Sequence, residues 1–240
     1  MASFHMNIKN GKKGTAAIHA DYISRQGNQN QDKQDLVALE HGNLPAWAND
    51  DPIYFFKMSD SGERANGASY RELIAALPSE LTRDQQLELA REFIKQQIGN
   101  KPHLVAIHSP MAALGDEPQD HIHAMWSDRV PDGIERSQEQ FFKRYNTAKP
   151  EMGGCKKDSG GKPPVLMQVD IKTRRANFAE LQNRHLEKHG HPTRVDHRSY
   201  RDRGIEKEAE KHLGADAIKK LTTEEKAQIK DKRKSKKSIT

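Results

Sequence analysis

The sequence is poor in cysteine and has no long apolar run. Cys155 is the single cysteine among 240 residues, so no disulfide can form within the chain. No apolar stretch approaches the roughly 20 residues that a membrane-spanning helix requires. The segment from Met1 to Gly11 also lacks the apolar core of a signal peptide. These features argue against a disulfide scaffold and a membrane-spanning protein, and they predict a cytoplasmic protein.

Apolar residues are scarce as well, at 34% of the chain, whereas charged residues reach 31% and the formal net charge is +6. A basic balance permits a polyanionic partner such as nucleic acid but does not require one. The sequence becomes strongly charged after Gly204. We therefore expect one domain over residues 1–214 and a basic tail over 215–240 that is helical or disordered.

Apolar periodicity predicts several short strands and amphipathic helices. The segment 150–164 is rich in glycine, lysine and proline, and is predicted to be a loop that cannot pack into a core. Strands and helices alternate, which predicts an α+β or α/β fold with an antiparallel sheet. The predicted strands are 3–9, 53–56, 103–108 and 121–127, and the predicted helices are 16–25, 69–78, 82–97, 137–146 and 173–188.

Three histidines stand in two of the predicted strands. His121 and His123 are two residues apart, so on an extended chain both imidazoles point to the same face. His108 ends the preceding strand and could add a third imidazole. Three neutral imidazoles suit Mn²⁺, Zn²⁺, Co²⁺ or Ni²⁺, and Mg²⁺ if substrate and water supply oxygen ligands. The alternative is that these are ordinary surface or network histidines, since the chain contains 12.

A metal with open positions beside a basic surface points to phosphoryl chemistry, and the nucleophile is then water or a side chain. Tyr22, in the segment HADYISRQG, is the side-chain candidate. A phenol is a weak nucleophile at neutral pH unless a cation or a base assists it. The alternative is that Tyr22 is a half-packed core residue, since it lies at helical spacing from Ile18.

Four blocks of the sequence together resemble the relaxase domain of the MobA/MobL family of plasmid mobilisation nucleases. The resemblance covers about residues 3–214, and the blocks follow the family's order. They are SFHMNIKNGKKGTAAIHADYISRQG, YRELIAALPSELT, AIHSPMAALGDEPQDHIHAMWSDR, and RVDHRSYRDRGI followed by HLG.

The resemblance implies a relaxase-type sandwich of two or three layers, in which helices flank a central antiparallel sheet. It implies that Tyr22 attacks a phosphate of single-stranded DNA at a plasmid transfer origin, leaving a 5′-phosphotyrosyl link and a free 3′-hydroxyl. His108, His121 and His123 would bind the divalent metal, with Mn²⁺ or Mg²⁺ expected first. Implied partners are accessory mobilisation proteins and a coupling protein of type IV secretion, in the bacterial cytoplasm.

Two positions depart from the family pattern. Many relatives have Asn-Pro before the histidine pair, where this chain has Gln119 and Asp120. Many relatives also carry two glutamates two residues apart, where this chain has Glu72 and Ile74. Glu72 therefore has two interpretations: an acid that orients a histidine or the tyrosine, and a capping-box residue for a helix that starts at Ser69.

Further polar residues are candidates for supporting the site or binding DNA. Asp120 could tune a metal ligand, and Asp196 with His197 could either support the site or form a salt-bridged structural corner. A groove for single-stranded DNA needs basic side chains, although each could equally be a solvated surface charge. The basic candidates are Lys12, Lys13, Arg25, Arg71, Lys156, Lys157, Arg194 and Arg198.

Two other functions fit the same residues. The first is a metal-dependent phosphodiesterase that uses water as the nucleophile and forms no covalent adduct. The second is a plasmid DNA-binding accessory protein without catalysis, in which Tyr22 and His121 would not matter for function.

Overall fold

The computed structural model describes residues 4–27, 33–112, 114, 117–206, 213, 217, 218 and 220–237. The strands are β1 (Met6–Lys12), β2 (Leu36–Gly42), β3 (Ala68–Ala76), β4 (His103–His108), β5 (His121–Trp126), β6 (Arg129–Val130) and β7 (Lys156–Lys157). The helices are α1 (Ala16–Ser24), α2 (Pro52–Gly62), α3 (Arg83–Gln97), α4 (Gln138–Phe141), α5 (Pro164–Lys188) and α6 (Thr223–Lys237). None of these helices is long and apolar enough to cross a membrane.

The described residues form two compact units. One comprises those of Met1–Ser109 with Asp120–His197, and the other comprises those of Pro110–Gln119 with Arg198–Thr240. The first unit contains a five-stranded sheet in the order β1-β3-β5-β4-β2, in which all neighbours are antiparallel. The second unit contains α6. The predicted boundary at residues 214 and 215 lies outside the described residues and stays a prediction.

The antiparallel sheet flanked by helices confirms the predicted fold class. Successive side chains of a strand point to opposite faces, and the two faces belong to separate apolar clusters. On the α3/α5 face, sheet residues such as Val105 and Ile122 pack with Phe93 of α3 and Phe178 of α5. On the opposite α1/α2 face, residues of the sheet pack with residues of α1 and α2. The sheet residues are Tyr70, Leu104, Ala106 and Met125, and the helix residues are Ile23, Phe55 and Phe56.

Helix α3 begins where the sequence predicts. The Thr82 side chain accepts a hydrogen bond from the Gln85 backbone N–H, and the Gln85 side chain accepts one from the Thr82 backbone N–H. This reciprocal pair satisfies two of the donors that a helix start leaves without partners. It fixes the start of a helix that buries Leu89, Ala90 and Phe93 against the sheet.

The predicted strand at 53–56 is wrong, because these residues lie in α2. The Asp51 side chain accepts a hydrogen bond from the Tyr54 backbone N–H, and Pro52 occupies the first helical turn. Both residues favour a helix start. Phe55 and Phe56 are fully buried on the α1/α2 face. Tertiary packing of these two rings therefore outweighs the strand propensity of the run.

The predicted helix at 69–78 is also wrong, because most of this segment lies in β3, an interior strand of the sheet. It pairs with β1 on one side and β5 on the other, so its backbone hydrogen bonds run to neighbouring strands. Both of its faces are covered, and apolar residues therefore appear on both sides of the strand. The capping-box interpretation of Glu72 is wrong with it, since no helix begins at Ser69.

The segment 150–164 is not the unpacked loop that the sequence predicts. Cys155 is buried in the cluster of the α1/α2 face, and burial raises the pKa of its thiol. Arg129 donates hydrogen bonds to the carbonyls of Cys155 and Phe142 and pairs with the buried carboxylate of Glu63. These bonds satisfy backbone groups that a buried loop would otherwise leave without partners.

Two predicted helices differ from the structure in extent. Helix α4 stops at Phe141, so the helix predicted over 137–146 is shorter than expected. Helix α5 starts at Pro164, nine residues before the predicted start at Thr173. Proline is favoured in a first helical turn, because its missing N–H would have no partner there.

A candidate metal centre beside a tyrosine

The three candidate histidines come together at the ends of two paired strands. His108, the last residue of β4, lies opposite His121, the first residue of β5, and His123 follows on the same face. Their ring centroids are 5.6, 4.9 and 5.0 Å apart. Ligand nitrogens from all three lie within 4.8 Å of one another. Strand register alone thus gathers three imidazoles on the α1/α2 face.

Hydrogen bonds fix which nitrogen two of these imidazoles offer. His123 Nδ1 lies 2.8 Å from a carboxylate oxygen of Glu72, and His108 Nε2 lies 2.7 Å from the backbone carbonyl of Ile23. Ionised carboxylates and carbonyls only accept hydrogen bonds, so both of these nitrogens carry the proton. The lone pairs are then on His123 Nε2 and on His108 Nδ1, and the latter accepts a hydrogen bond from Arg25 Nη2 that a bound metal would replace. A proton held on the other nitrogen is the usual arrangement of a metal-binding imidazole.

Burial keeps His108 in the neutral form that binds metals. Its side chain is fully buried, and this desolvation, with the nearby His123, lowers its pKa from 6.5 to about 4. The imidazole is therefore unprotonated at neutral pH. The donor set fits a divalent transition metal, because neutral imidazoles are good ligands for Mn²⁺, Co²⁺, Ni²⁺ and Zn²⁺.

Glu72 is a fully buried carboxylate next to the trio of His108, His121 and His123. Its oxygens lie 2.8 Å from His123 Nδ1, 2.7 Å from His19 Nε2 and 2.7 Å from Lys9 Nζ. Burial opposes its ionisation, but the contacts with His123, His19 and Lys9 outweigh burial and hold the pKa of Glu72 well below its ordinary value. The contact with His123 agrees with the interpretation of Glu72 as an acid that orients a histidine.

Tyr22 lies half-exposed on α1 and is linked to the histidines by two side chains. The guanidinium carbon of Arg25 lies 4.8 Å from the centre of the Tyr22 ring, and Arg25 Nη2 lies 3.3 Å from His108 Nδ1. On the other side, the His19 ring stacks at 6.1 Å from the Tyr22 ring and reaches Glu72. Both links come from the same short helix as Tyr22.

Arg25 is held in place by its backbone and by Asp35. It ends α1 in the left-handed conformation, with φ of 55°, which terminates the helix. Its guanidinium makes two hydrogen bonds with Asp35, of 2.9 and 2.8 Å. Burial opposes ionisation of Asp35, but Arg25 outweighs it and holds the pKa of this carboxyl below its usual range. The pair thus fixes the Arg25 guanidinium between the Tyr22 ring and His108.

Sequence reasoning missed Lys9, His19 and Asp35. A signal for His19 was available, because residues three apart on a helix are neighbours and His19 precedes Tyr22 by three. Asp35 precedes β2, a strand that the sequence analysis did not predict. Its contact with Arg25 depends on how that strand pairs with β4, which no local pattern reveals.

The three predicted supporting residues have their described contacts elsewhere. Asp120 accepts a hydrogen bond from Gln86 of α3 at 2.8 Å. His197 lies edge-on to Phe4, with ring centroids 6.4 Å apart, and its nearest Asp196 oxygen is 4.0 Å away. Phe4 packs on the α3/α5 face. The structure therefore brings neither Asp196 nor His197 to the trio through any contact it describes.

The basic candidates divide into paired and exposed side chains. Arg71 pairs with Asp128 at 2.7 Å, and Lys157 pairs with Glu63 at 2.8 Å. Both side chains are largely buried, as is that of Arg25. These three cations therefore already have carboxylate partners within the protein.

The remaining basic candidates are more exposed. Lys13 donates hydrogen bonds to the backbone carbonyls of Ser61 and Glu63, and Arg194 donates to those of His191 and Thr193. Arg198 belongs to the second compact unit. The exposed candidates are Lys12, Lys13, Lys156, Arg194 and Arg198.

Comparison with known proteins agrees with the resemblance drawn from the four sequence blocks. The family model described as "MobA/MobL family" matches residues 9–223. A "43 kDa relaxation protein" of Salmonella typhimurium is 46% identical over 210 residues, which cover 87% of this chain and 57% of the relative. A "Mobilization protein A" of Escherichia coli is 40% identical over 223 residues, which cover 91% of this chain and 30% of the relative. The chain thus spans only part of the length of these relatives.

One solved structure shares the fold. It is described as "Molecular Basis of Vancomycin Resistance Transfer in Staphylococcus aureus", and it is similar over 83% of this chain and 100% of its own. The TM-score is 0.57 and the sequence identity is 24%. The likeness supports the sheet-and-helix architecture described above.

Proposed function

This chain belongs to the MobA/MobL family, and on that premise we propose that it nicks and rejoins one strand of plasmid DNA at a transfer origin, with Tyr22 as the nucleophile. The observation that carries the proposal is the position of Arg25. Its guanidinium contacts the Tyr22 ring and also approaches His108 of the histidine trio. A nucleophile, a cation and a metal-binding cluster thus lie next to one another.

In this reaction the Tyr22 hydroxyl oxygen bonds to the scissile phosphorus, and the bond from phosphorus to the 3′-oxygen breaks. The phenol loses a proton, and the leaving 3′-oxygen gains one. The products are a 5′-phosphotyrosyl link and a free 3′-hydroxyl. The link conserves the energy of the broken phosphodiester, so the reverse attack by the 3′-hydroxyl rejoins the strand without ATP.

His108, His121 and His123 would hold a divalent ion, which would neutralise the charge that develops on the phosphate oxygens. Glu72 fixes the His123 ring through Nδ1, and Ile23 fixes His108 through Nε2. Arg25 stabilises the negative charge that develops on the Tyr22 oxygen as the proton leaves. Asp35 orients Arg25 through two hydrogen bonds.

The proposed substrate is single-stranded DNA, and the exposed basic residues are its proposed phosphate contacts. We further propose that the nicking domain spans residues 1–214 and that 215–240 form a basic tail. Accessory mobilisation proteins and a type IV coupling protein are proposed partners. Asp120, Asp196 and His197 remain proposed supporting residues, although their described contacts lie away from the trio.

The test is a nicking assay on an oligonucleotide that contains a transfer origin, in the presence of Mn²⁺. The expected product is a protein–DNA adduct that survives SDS and carries the phosphate on Tyr22, as identified by mass spectrometry. Tyr22→Phe should abolish the adduct, whereas the matched control Tyr145→Phe should form it at the normal rate. His121→Ala should lower the rate strongly and leave the fold intact, as judged by circular dichroism.

Two outcomes would contradict the proposal and separate the alternatives. A free 5′-phosphate product without an adduct, unchanged in Tyr22→Phe, would indicate a phosphodiesterase that uses water. DNA binding that is equal in the wild type, Tyr22→Phe and His121→Ala, with no cleavage in any of them, would indicate a DNA-binding accessory protein.

A further inference from the structure

Two pairs of potential metal ligands face each other where α3 packs against α5. His185 and His189 are four residues apart at the end of α5, and Glu88 and Glu92 are four residues apart on α3. Residues at this spacing lie on the same side of a helix, one turn apart. Two imidazoles from one helix therefore meet two carboxylates from the other.

The contacts between the pairs are short. His185 Nε2 lies 2.9 Å from Glu92 Oε2, and His189 Nε2 lies 3.5 Å from Glu88 Oε2. Ligand atoms from Glu88, His185 and His189 lie within 4.8 Å of one another. The potential ligand atoms of His108, His121 and His123 are also within 4.8 Å of one another.

His185 is an unusual residue for a helix interface. Only 3% of it is exposed, and its Nδ1 has no hydrogen-bond partner among the described residues. A buried polar atom without a partner carries a free-energy cost. An apolar side chain would pack at such a position without that cost, so the imidazole calls for an explanation beyond packing.

We propose that Glu88, His185 and His189 bind a divalent transition-metal ion, with Zn²⁺, Co²⁺ and Ni²⁺ as the expected class, and that this ion joins α3 to α5. Two imidazoles and one carboxylate are a donor set for such ions. Glu92 stands beside the site and can complete the coordination. Both helices lie on the α3/α5 face, so the sheet separates this ion from Tyr22 and the trio.

The neighbouring cations leave room for the ion but compete with it. Lys188 Nζ lies 2.5 Å from Glu88 Oε1, whereas His189 faces the other oxygen, Oε2. Arg184 Nη2 lies 2.8 Å from Glu92 Oε1, whereas His185 faces Oε2. Each carboxylate therefore has one oxygen on a cation and one towards a histidine. Removing the Lys188 charge should favour metal binding.

The test is metal binding in a variant that lacks the trio, His121→Ala with His123→Ala, titrated with Zn²⁺ by calorimetry and with Co²⁺ by visible absorption. We expect one equivalent to bind this variant and two to bind the wild type. Adding His189→Asn or Glu88→Gln should weaken binding by about tenfold or more, since even indirect supports of a metal site cost that much. Glu88 is exposed and His189 is partly buried at the end of α5, and neither belongs to the apolar core, so the fold should persist.

Two further variants make the result specific. His191→Asn replaces a histidine just beyond α5 and should leave the affinity unchanged. Lys188→Gln should tighten binding, because it frees Glu88 from a competing cation. The proposal would be refuted if neither Zn²⁺ nor Co²⁺ bound to the trio variant. It would also be refuted if neither His189→Asn nor Glu88→Gln changed the metal affinity of that variant.

The wild-type protein supplies an independent measurement that needs no trio variant. Its affinity for the second equivalent of metal should fall by about tenfold or more in His189→Asn, and its nicking rate should stay the same. A wild-type protein that binds one equivalent, or an unchanged affinity for the second equivalent in His189→Asn, would refute the second site and leave the proposed nicking function untouched. A loss of nicking in Tyr22→Phe bears only on the nicking function.

Discussion

At the scale of single residues, Glu72 connects the parts of the candidate site. One buried carboxylate contacts His123, His19 and Lys9, and so reaches both the trio and the helix that carries Tyr22. Its negative charge offsets positive charge that would otherwise accumulate in a buried place. Its hydrogen bond fixes the His123 tautomer, which leaves Nε2 free for a metal.

Replacing Glu72 by glutamine should weaken metal binding without unfolding the site. The amide has nearly the same shape but carries no charge, and it can donate as well as accept, so the His123 tautomer is no longer fixed. We expect the metal affinity to fall by about 10- to 100-fold. Nicking should then need a correspondingly higher Mn²⁺ concentration, as measured by rate against metal concentration.

The matched control is Glu40→Gln. Glu40 lies on the edge strand β2, and the substitution removes its exposed ion pair with Arg91 of α3. Such pairs contribute little to stability, and the Mn²⁺ dependence should stay as in the wild type. The same Mn²⁺ dependence in Glu72→Gln and the wild type would refute the role given to Glu72.

The pKa of His108 predicts how stability without metal depends on pH. Its value of about 4 in the folded protein lies below the ordinary 6.5. Between these values the unfolded chain binds more protons than the folded protein, so stability rises with pH. The contribution of neutral His108 to the free energy of unfolding is fully present above pH 6.5 and is lost as the pH falls towards 4.

Urea unfolding in EDTA at several pH values across this window measures the effect. A His108→Gln variant should show a flatter dependence of the free energy of unfolding on pH than the wild type. Glu72, with its lowered pKa, adds a further loss only below its ordinary value of 4.5. Equal slopes above that value in both proteins would contradict the assignment to His108.

At the scale of elements, the sequence predicts best where the local signals are complete. Helix α3 has a capping box, an apolar stripe and a glycine after its end, and both its type and its start are confirmed. The two histidine strands are confirmed as well, and they pair antiparallel, as the predicted antiparallel sheet requires. The segment 53–56 is predicted as a strand and lies in a helix, whereas 69–78 is predicted as a helix and lies mostly in a strand. Short apolar runs do not distinguish a buried strand from a buried helix.

The residues of the candidate site also divide into those whose positions a local pattern predicts and those whose positions depend on strand pairing. His121 and His123 could be paired from the sequence because a strand has a period of two residues. The contacts of Tyr22 with Arg25 and His19 are local to α1 and were partly readable. The contacts of Glu72 and Asp35 depend on strand pairing between distant parts of the chain, and a local pattern carries no information on that pairing.

The capping box of α3 gives a prediction at this scale. Thr82→Ala removes the acceptor for the Gln85 backbone N–H and should lower the free energy of unfolding by about 1 kcal/mol. The control Thr173→Ala changes an exposed residue within α5 and should be neutral or slightly stabilising, because alanine favours the helix. Urea denaturation measures both; equal effects of the two substitutions would contradict a capping role for Thr82.

At the scale of the whole molecule, the total of 40 lysines and arginines overstates the number of cations that are available to a phosphate backbone. Arg25, Arg71 and Lys157 are paired with carboxylates inside the first compact unit. The exposed lysines and arginines are therefore the proposed source of electrostatic attraction to a phosphate backbone. Phosphate contacts release counterions, so binding to single-stranded DNA should weaken linearly with salt on logarithmic axes.

Lys156→Gln should reduce the slope of that salt dependence by about one. Lys156 is exposed and follows Cys155, which packs on the α1/α2 face with the candidate site. Lys95→Gln is the control, because Lys95 is an exposed residue of α3 behind the sheet. Fluorescence anisotropy at several salt concentrations gives both slopes. A flat salt response, or equal slopes for the two variants, would argue against Lys156 as a phosphate contact.

The register of the central strands has a consequence for how the protein folds. Glu72 lies two residues before Ile74, which stands directly opposite His123, and His108 stands opposite His121. A slip of β3 by one residue would turn Glu72 towards the α3/α5 face and bring leucine or alanine beside the histidines. Misregistered chains would keep the trio on β4 and β5 but lose the Glu72 contact, so they would bind Mn²⁺ about 10- to 100-fold more weakly. During refolding, the recovery of tight metal binding would therefore report the correctly aligned molecules, whereas the recovery of helical signal would report all compact ones.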